Sequence, residues 1–163
     1  MDIAKSIRQR RSVRRFKPKS VPAVIVRKIL EAGRWAPSGL NNQPWRFMVL
    51  AGAEKDALAK FTHYGDIIKG ADKVILVFLD KKASYSYEKD LMAIGAGIQN
   101  MLLYIHSKKL GACWLGEILN QRNRLQRFLK LPRHLQLEAV VALGYPLTAA
   151  KSGRRKPFKS LLI

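Results

Sequence analysis

The chain has 163 residues, 31 lysines and arginines against 11 acids, and a formal charge of +20, a size that suits one domain over residues 1–163 with a real core. A single cysteine, Cys113, excludes an internal disulfide and a cysteine-based zinc site. No apolar run approaches the roughly 20 residues of a bilayer span, and the polar start from Met1 to Arg8 is no secretory signal, so a cytoplasmic protein without a membrane partner is expected.

Asp2 is placed to cap a short helix carrying Ile3 and Ile7. The segment from Ser12 to Phe16 then reads as extended. Lys5, Arg8, Arg10, Arg11, Arg14, Arg15, Lys17 and Lys19 make this region basic without an acid. A second helix starts near Ser20 and Pro22, carries Ile25, Ile29, Ala32 and Ala36 as its apolar stripe, and stops at Pro37. Residues 38–44 are turn-formers. Residues 45–50 read as a strand and 54–61 as a short helix. The continuous apolar run Val74–Leu79 predicts a strand buried on both faces.

Residues 88–108 carry the longest helical pattern, with Gly111 as its stop. Gly95 and Gly97 inside it each cost about 1 kcal/mol relative to alanine. Close approach of a helix or a ligand explains them, and small-residue packing is the favoured account. Ala112–Gly116 reads as a short strand. Asn120 is placed to cap a basic helix closed by Pro132, with Arg122, Arg124, Arg127, Lys130 and Arg133 on a wet face. Leu137–Leu143 is the last strand, and a basic tail from Ala149 holds Lys151, Arg154, Arg155, Lys156 and Lys159. The order implies an α+β domain, helices around a central mixed sheet.

Hydrolytic and metal chemistry fit poorly. The sequence has no Gly-x-Ser-x-Gly elbow, Walker loop or His-x-x-x-His spacing, and His63, His106 and His134 are scattered; no metal site is expected. Few acid–base residues beside many anion donors suit a protein that lends its chemistry to a cofactor. Arg10, Arg11 and Ser12 offer forked guanidiniums and a hydroxyl to a phosphate. The amides of Asn41, Asn42 and Gln43 match the mixed donor–acceptor edge of a heterocycle.

Taken together, Arg10-Arg-Ser-Val-Arg-Arg-Phe16, Ala36-Pro-Ser-Gly-Leu-Asn-Asn-Gln-Pro-Trp-Arg-Phe47, Gly97-Ile-Gln-Asn-Met-Leu-Leu103, Leu110-Gly-Ala-Cys-Trp-Leu-Gly116, Ala139–Pro146 and Arg155-Lys-Pro157 resemble the nitroreductase family, in order and over nearly the whole chain. The resemblance implies a homodimer with shared FMN sites. It puts Arg10, Arg11 and Ser12 on the phosphate and ribityl chain, with Arg154 and Arg155 returning to the phosphate. Arg14 lies at the pyrimidine edge, where it tunes the flavin and is the one residue given a catalytic role. Pro37, Ser38 and Gly39 line the flavin from the partner, Asn41 and Gln43 bind ribityl or ring atoms, and the backbone of Leu115 and Gly116 passes beside the ring near N5.

The implied activity is transfer of hydride from NADH or NADPH through the flavin to a small electron-poor acceptor such as a nitroaromatic or quinone. A flavin reductase or reductive dehalogenase of the same fold is the alternative. Between Lys60 and Lys73 no counterpart appears for the asparagine and lysine that some members place on the pyrimidine, which implies a reduced or absent lid. A basic nucleic-acid-binding protein is the remote alternative. It needs aromatic-interleaved basic faces or a groove-reading helix, and neither is evident, so no specific nucleic-acid partner is expected. Trp45 and Phe47 read as strand core, Cys113 as a small buried hydrophobe, and Trp114 as core, dimer packing or pocket wall.

Overall fold

The computed structural model describes residues 2–148 and 153–163. Four strands, β1 (Trp45–Ala51), β2 (Lys73–Asp80), β3 (Gly111–Leu115) and β4 (Leu135–Gly144), form one sheet in the order β1-β2-β4-β3. All three strand pairs are antiparallel. The expected mixed sheet is corrected on this point: the one parallel pairing among the described residues is an isolated bridge, Ser12 to Ala112. Strand order is a long-range property, and helical segments between strands do not force parallel crossovers when the chain returns along a neighbouring edge.

β2 and β4 are central, and both faces of each are covered, which is why Val74–Leu79 and Ala139–Leu143 within them read as unbroken apolar runs. On one face, Ile75, Val77 and Leu79 pack with Val141 and Leu143 under Ile29, Ile98 and Met101. These last come from α2 (Ala23–Arg34) and α5 (Tyr87–Ser107). On the other, Val74, Leu76 and Phe78 pack with Val140 and Ala142 against Leu58, Ile68 and Leu125. That layer holds α3 (Gly52–Asp56), a 3₁₀ segment (Ala57–Phe61), α4 (Gly65–Gly70) and α6 (Arg122–Phe128). Full burial of a Leu or Ile contributes about 1.5–3 kcal/mol, so the two layers hold the sheet from both sides. Trp45 is core, as expected.

α1 (Ile3–Gln9) is capped by Asp2, whose carboxylate accepts from the Ala4 and Lys5 N–H groups. α4 has no signal in the sequence, because a six-residue helix bounded by Gly65 and Gly70 is too short to show a period. The basic helix is shorter than its charge pattern suggests. Residues Glu117–Gln121 wind as 3₁₀, so Gln121 and not Asn120 is the cap position. Lys130 takes a left-handed φ of 51° and the Leu131 N–H returns to the Gln126 carbonyl at 3.1 Å, a Schellman closure reached before Pro132. The start of the tail at Ala149, with Lys151, lies outside the described residues. No helix of the described residues is long and apolar enough to cross a membrane.

Candidate flavin site

α1 ends where Arg10 turns extended, at φ −56° and ψ 130°. The chain then pairs sideways. The Val13 N–H donates to the Ala112 carbonyl at 2.8 Å, and Lys17 N–H to Tyr145 at 2.8 Å. Buried Phe16 bridges Pro146. This anchoring fixes the alternation of side chains: Arg11 and Val13 turn inward and half-buried, Ser12 and Arg14 face out. Arg14 lies near Cys113, whose buried thiol is pushed up by desolvation and pulled back by that guanidinium. The N-terminal motif and the β3 motif thus lie side by side in one chain.

Arg11 donates through Nη1 to the carbonyls of Arg8, at 2.6 Å, and Arg10, at 2.8 Å. It closes the carbonyl end of α1, where a cation is favoured. The Arg10 guanidinium is held below its ordinary value by burial and then by the charges of Arg11 and Arg155. The tail returns here: a Cβ on Gly153 would stand 2.9 Å from Arg11 Nε and 3.3 Å from Arg155 Nη1. Arg10, Arg11 and Arg155 therefore converge from both ends of the chain, and none is ion-paired among the described residues. Arg154 is exposed, and its carbonyl accepts from Arg155 at 2.8 Å. Arg11 Nε is buried without a hydrogen-bond partner among the described residues. Three clustered guanidiniums and an orphaned donor fit a phosphate monoester such as that of FMN.

The loop from Pro37 to Pro44 is strained. Leu40, Asn41 and Gln43 all take left-handed φ, at 54°, 52° and 47°, at a cost of order 1–3 kcal/mol for each such residue. Its conformation is held in part from outside that motif, by Ala83 and Asp90. Asn42 Nδ2 donates to Asp90 Oδ1 at 2.8 Å and to the Ala83 carbonyl at 3.0 Å. Asp90 is fully buried at the start of α5 and also accepts from Ser84 Oγ at 2.6 Å and the Tyr85 N–H at 3.1 Å. Burial pushes its carboxyl up, but the bonds from Ser84, Asn42, Ser86 and Tyr85 outweigh it, and the net direction is down. The Ser38 hydroxyl accepts from the Gln43 N–H at 3.0 Å. A Cβ on Gly39 would fall 1.9 Å from the hydroxyl of exposed Tyr85, whose ring would have to swing aside to admit it.

Gly116 follows β3 into the open, and Glu117 beside it accepts from Thr62 Oγ1 and, at 3.1 Å, from the His63 N–H. The turn before α4 is thereby tied next to the β3 end, a link invisible in the sequence because its partners are 54 and 55 residues apart. Trp114 is 43% exposed on β3, which removes it from the core.

The expected site residues fall into two groups within the chain. Arg10 and Arg11 border the last turn of α5, lining one cavity with His106. The 37–44 loop hangs on Asp90 at its first turn. The sixteen-residue step from Asp90 to His106 spans about 24 Å of helix.

The Nitroreductase family model matches residues 7–65 and 62–145. The chain belongs to the nitroreductase family. A candidate NADH dehydrogenase/NAD(P)H nitroreductase of Methanothermobacter thermautotrophicus is 31% identical over 161 residues, covering 97% of this chain and 83% of that protein. An iodotyrosine deiodinase of Thermotoga neapolitana is 29% identical, with 89% and 87% covered. Among solved structures, a candidate nitroreductase of Desulfovibrio desulfuricans in complex with FMN superposes with a TM-score of 0.96 at 50% identity, covering 100% of this chain and 96% of that one.

Proposed function

We propose that this nitroreductase-family chain works as one unit over residues 1–163, as a cytoplasmic FMN-dependent oxidoreductase that takes hydride from NADH or NADPH and passes it to a small electron-poor acceptor. The observation that carries this reading is the meeting of Arg10, Arg11 and Arg155 with no carboxylate paired to them among the described residues. The FMN-bound relative supports the identity of the anion.

In this reading Arg10, Arg11 and Arg155 hold the phosphate, with Arg154 adding charge at the rim. Ser12 faces the ribityl chain. Arg14 sets a positive charge at the ring edge, where it favours the reduced anionic form. The backbone of Leu115 and Gly116 passes beside the ring. When bound, flavin supplies the hydride acceptor and donor that the side chains lack. The protein's own part is to orient, to hold charge and to exclude water.

The site is shared between two copies. The loop bearing Pro37, Ser38, Gly39, Asn41 and Gln43 is tethered about 24 Å of helix away from the arginine cluster, so a second chain brings its loop to the first chain's arginines. Apolar side chains left uncovered in the single chain, Ile3 at 69%, Trp35 at 74%, Leu40 at 85% and Met92 at 73% exposure, supply the surface for that contact.

The test is the visible spectrum and the sedimentation of the purified protein. A yellow protein releasing FMN, at about twice 18.5 kDa, is expected. A colourless protein that takes up no FMN, or a monomer with full occupancy, refutes the reading. Turnover with a nitroaromatic, a quinone and a halogenated phenol ranks the acceptors. The deiodinase relative gives the halogenated phenol its place in that panel.

A further inference from the structure

The link from β2 to α5, residues 81–86, carries Tyr85. Its ring lies on the 37–44 loop: a Cβ on Gly39 would meet the Tyr85 hydroxyl and, at 2.6 Å, the ring carbon that bears it. The loop thus offers bare backbone where the phenol sits. One carboxylate ties the two parts together. Asp90 accepts from Asn42 Nδ2 through Oδ1 at 2.8 Å and from the Tyr85 N–H through Oδ2 at 3.1 Å. Asn42 also donates to the carbonyl of Ala83, two residues before Tyr85, at 3.0 Å. Where the loop goes, the tyrosine goes with it.

The polar end of this phenol is unused within the chain. Tyr85 is 44% exposed, and its hydroxyl makes no hydrogen bond among the described residues. Its exposed aromatic neighbours differ. The Tyr87 hydroxyl accepts from Gln136 Nε2 at 3.0 Å, and the Trp35 N–H goes to Glu31 at 2.8 Å. A flat apolar ring with a free donor at its tip suits a small aromatic ligand that carries an oxygen. Lys89 Nζ stands 5.5 Å from the ring centroid, which gives this wall a positive rim.

We propose that Tyr85 is the acceptor-binding residue of the flavin site that its loop enters. The ring forms one wall for the acceptor, and the hydroxyl donates a hydrogen bond to an acceptor oxygen, that of a quinone carbonyl or a nitro group. The assignment rests on the proposed function, which brings this loop to the partner's flavin. Its consequence is a preference for flat aromatic acceptors with an oxygen on or beside the ring.

Tyr85→Phe is the variant that reads this role, because it removes only the unused hydroxyl and leaves the ring on Gly39. Flavin absorbance first measures FMN affinity in wild type and variant, which should be the same. Benzoate is then titrated into the FMN-loaded proteins as an inert ligand with oxygens beside an aromatic ring, and its binding is read from the change in the flavin spectrum. Tyr85→Phe should weaken benzoate about tenfold, the loss of one hydrogen bond. Reoxidation of the dithionite-reduced variant by limiting benzoquinone should slow by a similar factor. Reoxidation by ferricyanide, which takes electrons singly and needs no such bond, should be unchanged. Tyr85→Leu removes the wall as well and should weaken benzoate further.

A Tyr85→Phe protein that binds benzoate like wild type overturns the assignment. So does one that loses FMN together with benzoate, or one slowed equally toward both oxidants. A wild-type protein that takes up no FMN refutes the proposed function and the assignment with it, and the flavin titration shows that outcome separately.

Discussion

Asp90 holds the 37–44 loop in a shape that loop would not adopt by itself. Three left-handed residues without glycine's freedom sit there, and the Asn42–Asp90 bond at 2.8 Å helps offset their cost. Because the folded-state value of Asp90 is depressed, its contribution is complete above the unfolded carboxyl value near about 3.9 and is lost as pH falls through the folded one. Asp90→Ala should therefore cost about 2–3 kcal/mol at pH 7, and the difference from wild type should shrink in acid. Denaturant melts at pH 7 and pH 3 measure both. At the other end of α5, Arg10→Ala should weaken FMN by about 10- to 100-fold, the loss of a charge-assisted bond of roughly 1.5–3 kcal/mol. Riboflavin should be almost unaffected, and fluorescence titration of both ligands decides the role. The cluster of basic residues at Arg10 and Arg11 and the turn character of Pro37–Gln43 were legible from residue types; the ligand roles given to them stay with the proposed function. Asp90, Glu117 and His106 were not, because an isolated acid or histidine acquires meaning only from partners far along the chain.

At the level of elements, α5 separates two meanings of glycine that the sequence could not distinguish. A Cβ on Gly97 would stand 3.2 Å from the Gly33 carbonyl, so this glycine permits α2 to approach, in line with the small-residue packing expected. A Cβ on Gly95 would meet nothing within 4 Å. Gly95→Leu should therefore leave the fold of the single chain intact, with a far-ultraviolet spectrum like wild type. If α5 is the partner-facing helix, the same change shifts sedimentation toward monomer and lowers FMN occupancy several-fold. The helices and strands with a long or continuous apolar pattern were all legible. α4 was not, and neither was the early end of α6, since a short helix leaves no period and a left-handed lysine leaves no mark. Sheet direction also escaped, because the 2-residue alternation that reveals a strand is the same in either sense.

For the whole molecule, the charge of +20 acts on approach. Its field should speed the encounter with anionic dinucleotides, and this effect fades as the Debye length falls toward roughly 3 Å at 1 M salt. Turnover at limiting NAD(P)H is expected to drop several-fold between 20 mM and 1 M salt, while turnover at saturation changes little; steady-state kinetics over that range is the check. DNA binding, if measured by gel shift, should be confined to low salt and indifferent to sequence.

The bridge from Ser12 to Ala112, with the Val13 N–H on the Ala112 carbonyl, has a consequence for the life of the chain before it is complete. β3 is an outer strand, and an outer strand with free amides is a template for other chains. The segment that pairs with it at Ala112 lies a hundred residues earlier in the chain, so it is made before the strand it meets. A proteolytic cut just after Val13 would free the Ala112 carbonyl on that margin and remove Arg10 and Arg11 together, so loss of cofactor affinity and a greater tendency to self-associate should arrive together.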